Sequence, residues 1–159
     1  MNTLIAYFSY TGHTKGVAQQ LQNLTGGTLF EIQPQEAYSS DYDITERQGR
    51  KETHDGYRPL LTEQVSNLDS YDTILLGTPN WFNTVTPPVA TFLSENDFSG
   101  KKIALFCSNG GGGLGHTVSD IRFICKGADV LDSLSIYEDG GADVKAKLMA
   151  WLNKNGLNQ

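Results

Sequence analysis

The sequence predicts an α/β protein built on a five-stranded parallel sheet, strand order 2-1-3-4-5, with helices on both faces. Three observations carry that expectation. Five short apolar runs alternate with segments of helical spacing along the 159 residues, which is the pattern of successive strand–helix–strand units. Two of the runs, Leu4-Ile5-Ala6-Tyr7-Phe8 and Thr73-Ile74-Leu75-Leu76-Gly77, are apolar without alternation, as strands covered on both faces are. Three runs end in loops of unusual chemistry, at 9–14, 78–86 and 108–116. These follow strands one, three and four, whose ends are neighbours in this strand order. Ligands of doubly wound sheets bind there, where the order reverses.

Each element follows in turn. Residues 2–8 read as the first strand and 13–24 as a helix, with Val17, Leu21 and Leu24 at i, i+4, i+7. Thr28 to Ile32 is the second strand, entered through Gly26-Gly27. Residues 34–58 are polar, carry Tyr38, Tyr42 and Tyr57, and hold a helix near 41–53. Leu61, Val65 and Leu68 give helical spacing again and predict a further helix. Thr73 to Gly77 is the third strand. Pro87-Pro88 opens a helix, because proline is tolerated where an amide has no partner, and Val89, Phe92 and Leu93 supply its apolar face. Lys101 to Cys107 is the fourth strand, and Val118, Ile121 and Cys125 mark a fourth helix. Ala128 to Ile136 reads as one unbroken fifth strand, with Val144, Leu148, Trp151 and Leu152 lining the last helix. No repeat or linker divides the series, so residues 1–159 form a single domain.

Composition narrows the partners. Formal net charge is −6, so nucleic acid and anionic membrane are excluded as natural partners, and a basic protein surface is favoured. No run approaches the roughly 18 apolar residues of a membrane span. The start of the chain lacks the features of a signal peptide, and a cytoplasmic protein is expected. Cys107 and Cys125 are the only cysteines. With no CxxC and no ligand spacing to histidine, they predict free core thiols and no metal site.

The first loop, Ser9-Tyr10-Thr11-Gly12-His13-Thr14, hands a strand to a helix through hydroxyls and one glycine. Unpaired helix amides, hydroxyls and the helix dipole converge there, which suits a phosphate; the hexapeptide alone is equally an ordinary Ser/Thr-rich cap. The second, Thr78-Pro79-Asn80-Trp81-Phe82-Asn83, offers a large flat aromatic, and two adjacent aromatics on such a loop cannot both point inward. The third, Ser108-Asn109-Gly110-Gly111-Gly112-Gly113-Leu114-Gly115, ends at His116 and brings bare backbone close to a ligand. Together they describe a ligand with a phosphate at one end and a planar hydrogen-bonding ring at the other. A GxxxxGK[ST] loop and a GxGxxG first turn are both absent, which argues against nucleoside triphosphates and dinucleotides. The third strand ends without an acid, unlike a receiver domain, and the first loop has no thiol for phosphatase chemistry.

These loops, and the order of elements over nearly the whole chain, resemble those of flavodoxins, especially a small group with a Trp-aromatic pair in the second loop and a Pro-Pro helix start after it. The resemblance implies FMN, with Ser9 to Thr14 on the phosphate and residues 78–83 and 108–115 around the isoalloxazine. The unbroken fifth strand looks like a short-chain form. It further implies a flavoprotein of electron transport, a monomer without catalytic residues that passes electrons between redox partner proteins. The alternative is an FMN-dependent NAD(P)H:quinone-type reductase, which needs a second site that only residues 34–58 could supply. A flavin-free interaction domain is disfavoured by three ligand-type loops at one sheet edge. His13 stands where flavodoxins commonly have Asn, and Asn83 where this group often has Gly. No acid occurs in 9–14, 78–86 or 108–116, whereas His13 and His116 do. From Thr78 to Pro88 there is no glycine, so Asn83 is the expected residue for any positive φ, with Phe82 much worse suited.

Overall fold

The computed structural model describes residues 2–157. Its elements in chain order are β1 (Thr3–Tyr7), α1 (His13–Thr25), β2 (Thr28–Glu31), α2 (Tyr42–Asp55), β3 (Thr73–Pro79), α3 (Pro87–Ser94), β4 (Lys102–Asn109), α4 (Thr117–Ile124), β5 (Asp129–Val130), β6 (Leu134–Tyr137) and α5 (Val144–Lys154). The strands are all parallel in the order β2-β1-β3-β4-β5, with β6 also pairing β4. Side chains alternate across the sheet, as they must in extended chain. Leu4, Ala6, Phe8, Ile74, Leu76 and Leu105 therefore face α3 and α4 through Val89, Phe92 and Ile121. Ile5, Tyr7, Leu75, Ala104 and Phe106 face α1 and α5 through Leu21, Leu148 and Trp151. The three-layer order is the one expected.

Two expectations fail locally. Residues 61–68 are not an α-helix. Leu61 forms an isolated antiparallel bridge with Pro34, and helical structure is confined to a 3-10 turn at Leu68–Ser70. The Gln35 amide donates to the Leu60 carbonyl (2.8 Å) and the Thr62 amide to Gln33 (2.9 Å). Pairing with residues 33–35 satisfies the backbone in extended form, so side-chain spacing alone misled. The fifth strand is likewise not continuous: β5 and β6 share one line along β4 but break at Asp132. Trp151 Nε1 donates to the Asp132 carbonyl (2.7 Å), and Asn155 Nδ2 (3.0 Å) joins it. The last helix thus takes over backbone groups that the sheet leaves free.

What positions the loops is close packing at the end of β3. A Cβ on Gly77 would lie 2.4 Å from the Phe106 ring and 2.9 Å from Thr14 Cγ2. Only glycine lets β4 and the start of α1 close around that strand end. Helix α2, matching the predicted helix near 41–53, is capped by Asp41, whose Oδ1 accepts from the amides of Asp43 (2.9 Å) and Ile44 (3.3 Å).

Candidate functional site

Loop one (residues 9–14) is held by its own hydroxyls. Ser9 Oγ accepts from the amides of Gly12 (3.1 Å) and Lys15 (3.2 Å), and Thr11 Oγ1 from that of His13 (3.5 Å). An oxygen that accepts twice keeps its own proton for an outside acceptor. The amides of Tyr10, Thr11 and Thr14 donate to no protein group among the described residues. Gly12, with φ 100°, makes the left-handed turn that starts α1. The Thr14 hydroxyl is not free: it is buried and paired with Ser108 Oγ at 2.6 Å. It ties loop one to the end of β4.

Loop two (residues 80–84) is a two-residue hairpin. Trp81 and Thr84 exchange both backbone hydrogen bonds, at 3.2 and 3.1 Å, around Phe82 (φ 56°) and Asn83 (φ 69°). Positive φ at both central residues defines a type I′ turn. Asn83 is where that conformation was expected; Phe82, the worse-suited residue, shares it. The turn sends the two aromatics opposite ways. Trp81 packs edge-on against Tyr38 (5.0 Å), Phe8 (5.7 Å) and Tyr10 (6.0 Å). Phe82 stays 39% exposed, with the Arg50 guanidinium 4.8 Å above its ring.

Loop three (residues 109–116) winds around one carboxamide. Asn109 Oδ1 accepts from the amides of Gly111 (3.0 Å) and Gly113 (3.2 Å), while its Nδ2 donates to Ser135 Oγ (2.9 Å). Cβ atoms placed on Gly110, Gly111 or Gly113 would meet nothing within 4 Å, so this backbone faces open space. Asn80 Nδ2 donates to the Gly113 carbonyl (2.9 Å), leaving the buried Asn80 Oδ1 without a partner. Loops two and three also lock directly. The His116 amide donates to the Asn83 carbonyl, and a Cβ on Gly115 would sit 2.6 Å from Asn83 Cα. The three loops therefore meet, through Thr14–Ser108, Asn80–Gly113 and Asn83–Gly115.

Several neighbours lay outside the sequence-predicted set. Thr84 Oγ1 donates to Asp120 on α4, and Glu46 on α2 lines a cavity with Trp81 and Phe82. Loop two is thus not free of acids nearby: they come from helices distant in sequence. Tyr38 donates to Glu52 (2.6 Å), and burial followed by that carboxylate pushes its phenol well above 10. Helix α2 rests on loop two at Gly49, where a Cβ would stand 3.1 Å from Trp81 Cε3. A glycine inside a polar helix was a readable signal for such an approach. His116 is exposed and engages through its backbone. Burial raises the Cys107 thiol to about 12 and Cys125 to about 11, so neither is a thiolate.

Fold and loops define a doubly wound α/β protein whose three loops meet at the β1/β3 switch point, where ligands of such sheets bind. A flavodoxin family model matches residues 2–155, and the chain belongs to that family. Among solved structures, a candidate flavoprotein from Bacteroides eggerthii shares 26% identity over 98% of both chains, with a TM-score of 0.86. A flavoprotein from Lactobacillus acidophilus, solved in complex with FMN, is 22% identical over 94% of this chain and 97% of its own (TM-score 0.72). Oxidised flavodoxin 1 from Bacillus cereus is 16% identical over 98% and 97% (TM-score 0.60). No curated protein matches. No helix among the described residues is long and apolar enough to cross a membrane.

Proposed function

We propose that the chain binds FMN and works as an electron carrier between redox proteins. FMN supplies one- and two-electron chemistry when bound; the chain sets its seat and exposure. The observation that supports this best is the meeting of three loops whose free groups match the two ends of that ligand. At one end, the Ser9 O–H and the amides of Tyr10, Thr11 and Thr14 are donors at the positive end of α1, and they need no lysine or arginine. Thr14 offers its amide while its hydroxyl holds Ser108. At the other, the open glycine backbone at 110–113 and the partnerless Asn80 Oδ1 suit a flat ring with polar edges.

Carrier and reductase differ in whether NADH or NADPH alone reduces the bound flavin. The proposed partner presents a basic surface, the chain acts as a monomer, and the cytoplasm is its compartment. Residues 41–58 and 117–126 hold six acids and six bases, and the other twelve acids face only six bases. The negative charge therefore lies away from α2 and α4. Glu138 and Asp139 flank loop three, where the Glu138 amide donates to the Asn109 carbonyl (2.8 Å), and a basic partner docks on that side. The test is anaerobic mixing of FMN-loaded protein with NADH or NADPH. A carrier keeps its oxidised spectrum until a flavin-reducing partner protein is added, whereas bleaching by the nucleotide alone rejects the carrier reading.

A further inference from the structure

A cavity of about 270 Å³ opens between loop two and α2, with Tyr10 of loop one on its wall. Four of its lining residues are aromatic: Tyr10, Tyr42, Trp81 and Phe82. Three of these are held in place. Tyr10 donates its hydroxyl to the Ser39 carbonyl (2.6 Å), Trp81 is wedged among Phe8, Tyr10 and Tyr38, and Phe82 is set by the I′ turn and covered by Arg50. Gly49 brings α2 down onto this wall. A rigid aromatic box takes a flat ring, because stacking there orders little that is not already ordered.

The polar lining selects further. The Tyr10 and Thr45 hydroxyls both give their protons to the Ser39 carbonyl, so toward the cavity they present lone pairs. Glu46 adds a carboxylate, paired with Arg50 at 3.2 Å. The Tyr10, Thr45 and Glu46 groups are acceptors, and the Tyr42 hydroxyl can donate as well as accept, so the lining favours a ligand that brings O–H or N–H donors, and an anion would meet Glu46.

We propose that this cavity binds a planar, uncharged aromatic carrying hydrogen-bond donors, such as a vicinal dihydroxy-arene or an amino-heterocycle. Its place beside FMN rests on the function proposed above; the box and its acceptor lining do not.

Calorimetry with the full chain tests it, using 2,3-dihydroxynaphthalene, 2,3-dimethoxynaphthalene and 2-naphthoate as probes on both FMN-free and FMN-loaded protein. The dihydroxy compound is expected to bind at least about tenfold tighter than either other probe, the loss of one or two hydrogen bonds being worth that much. Binding should persist with FMN loaded. Tyr42→Ala, at a residue 66% exposed, should weaken it about tenfold. Glu46→Gln should narrow the gap to 2-naphthoate while leaving the dimethoxy compound unchanged. Equal affinity for the three probes overturns the acceptor lining, and release of FMN by the dihydroxy compound overturns a separate site by making the cavity the flavin's seat. Failure to bind FMN at all rejects the proposed function, and the probe series on the FMN-free chain still decides this site.

Discussion

Loop one and loop two lie side by side and are built by opposite means. Loop one is nearly self-contained: Ser9 caps two amides within six residues, and Gly12 makes the only left-handed turn. Loop two is assembled from afar, by Tyr38 and Gly49 on one side and Gly115, His116 and Asp120 on the other. Local hydrogen bonds make a loop tolerant of change elsewhere. Non-local packing makes it sensitive to residues that no ligand touches.

The contrast is broken most strongly at Gly115. Gly115→Val places branched carbon at φ 54° against the Asn83 backbone, which should cost about 3–4 kcal/mol from strain and overpacking. Urea unfolding measures it, and a loss below about 1 kcal/mol would mean that loops two and three are not locked. Next is Thr14→Val, which leaves the buried Ser108 hydroxyl without its partner. The expected loss of stability is about 1–3 kcal/mol, with FMN retained through the Thr14 amide. A variant of full stability that no longer holds FMN would place that hydroxyl on the ligand instead.

Gly49→Val sharpens the comparison. At an open helix site, replacing glycine gains up to about 1 kcal/mol; here the side chain meets Trp81, and a net loss of about 1–2 kcal/mol is expected with a shifted indole emission. Unaltered emission would detach α2 from loop two. Smallest is Tyr38→Phe. Because folding raises this phenol's pKa, the native state favours the neutral form, and the stability this gives is full below pH 10 and lost as pH rises above it. The wild type should therefore lose stability more steeply than Tyr38→Phe in alkaline urea titrations; parallel curves would remove Tyr38 from the account.

The same division explains what the sequence disclosed. Strand order and the three loop positions were legible because apolar runs such as Leu4–Phe8 and Ile74–Leu76 carry burial in their composition. Loop one was legible because its bonds are short-range. Residues 61–68 were misread since Leu61 faces the core from extended chain paired to 33–35, while Val65 and Leu68 reach it from a loop and a 3-10 turn. The acids near loop two were hidden because Glu46 and Asp120 reach it only through the fold, and the Phe82 turn because a type I′ turn needs positive φ at a residue that disfavours it.

The central claim is that loop one holds a phosphate by Ser9 and backbone amides alone. Titrating the FMN-free chain with FMN and with riboflavin, in wild type and Ser9→Ala, tests it most directly. The account predicts riboflavin at least about a hundredfold weaker than FMN, and a Ser9→Ala loss of about 1.5–3 kcal/mol for FMN with none for riboflavin. Equal affinities for the two flavins in the wild type would contradict it.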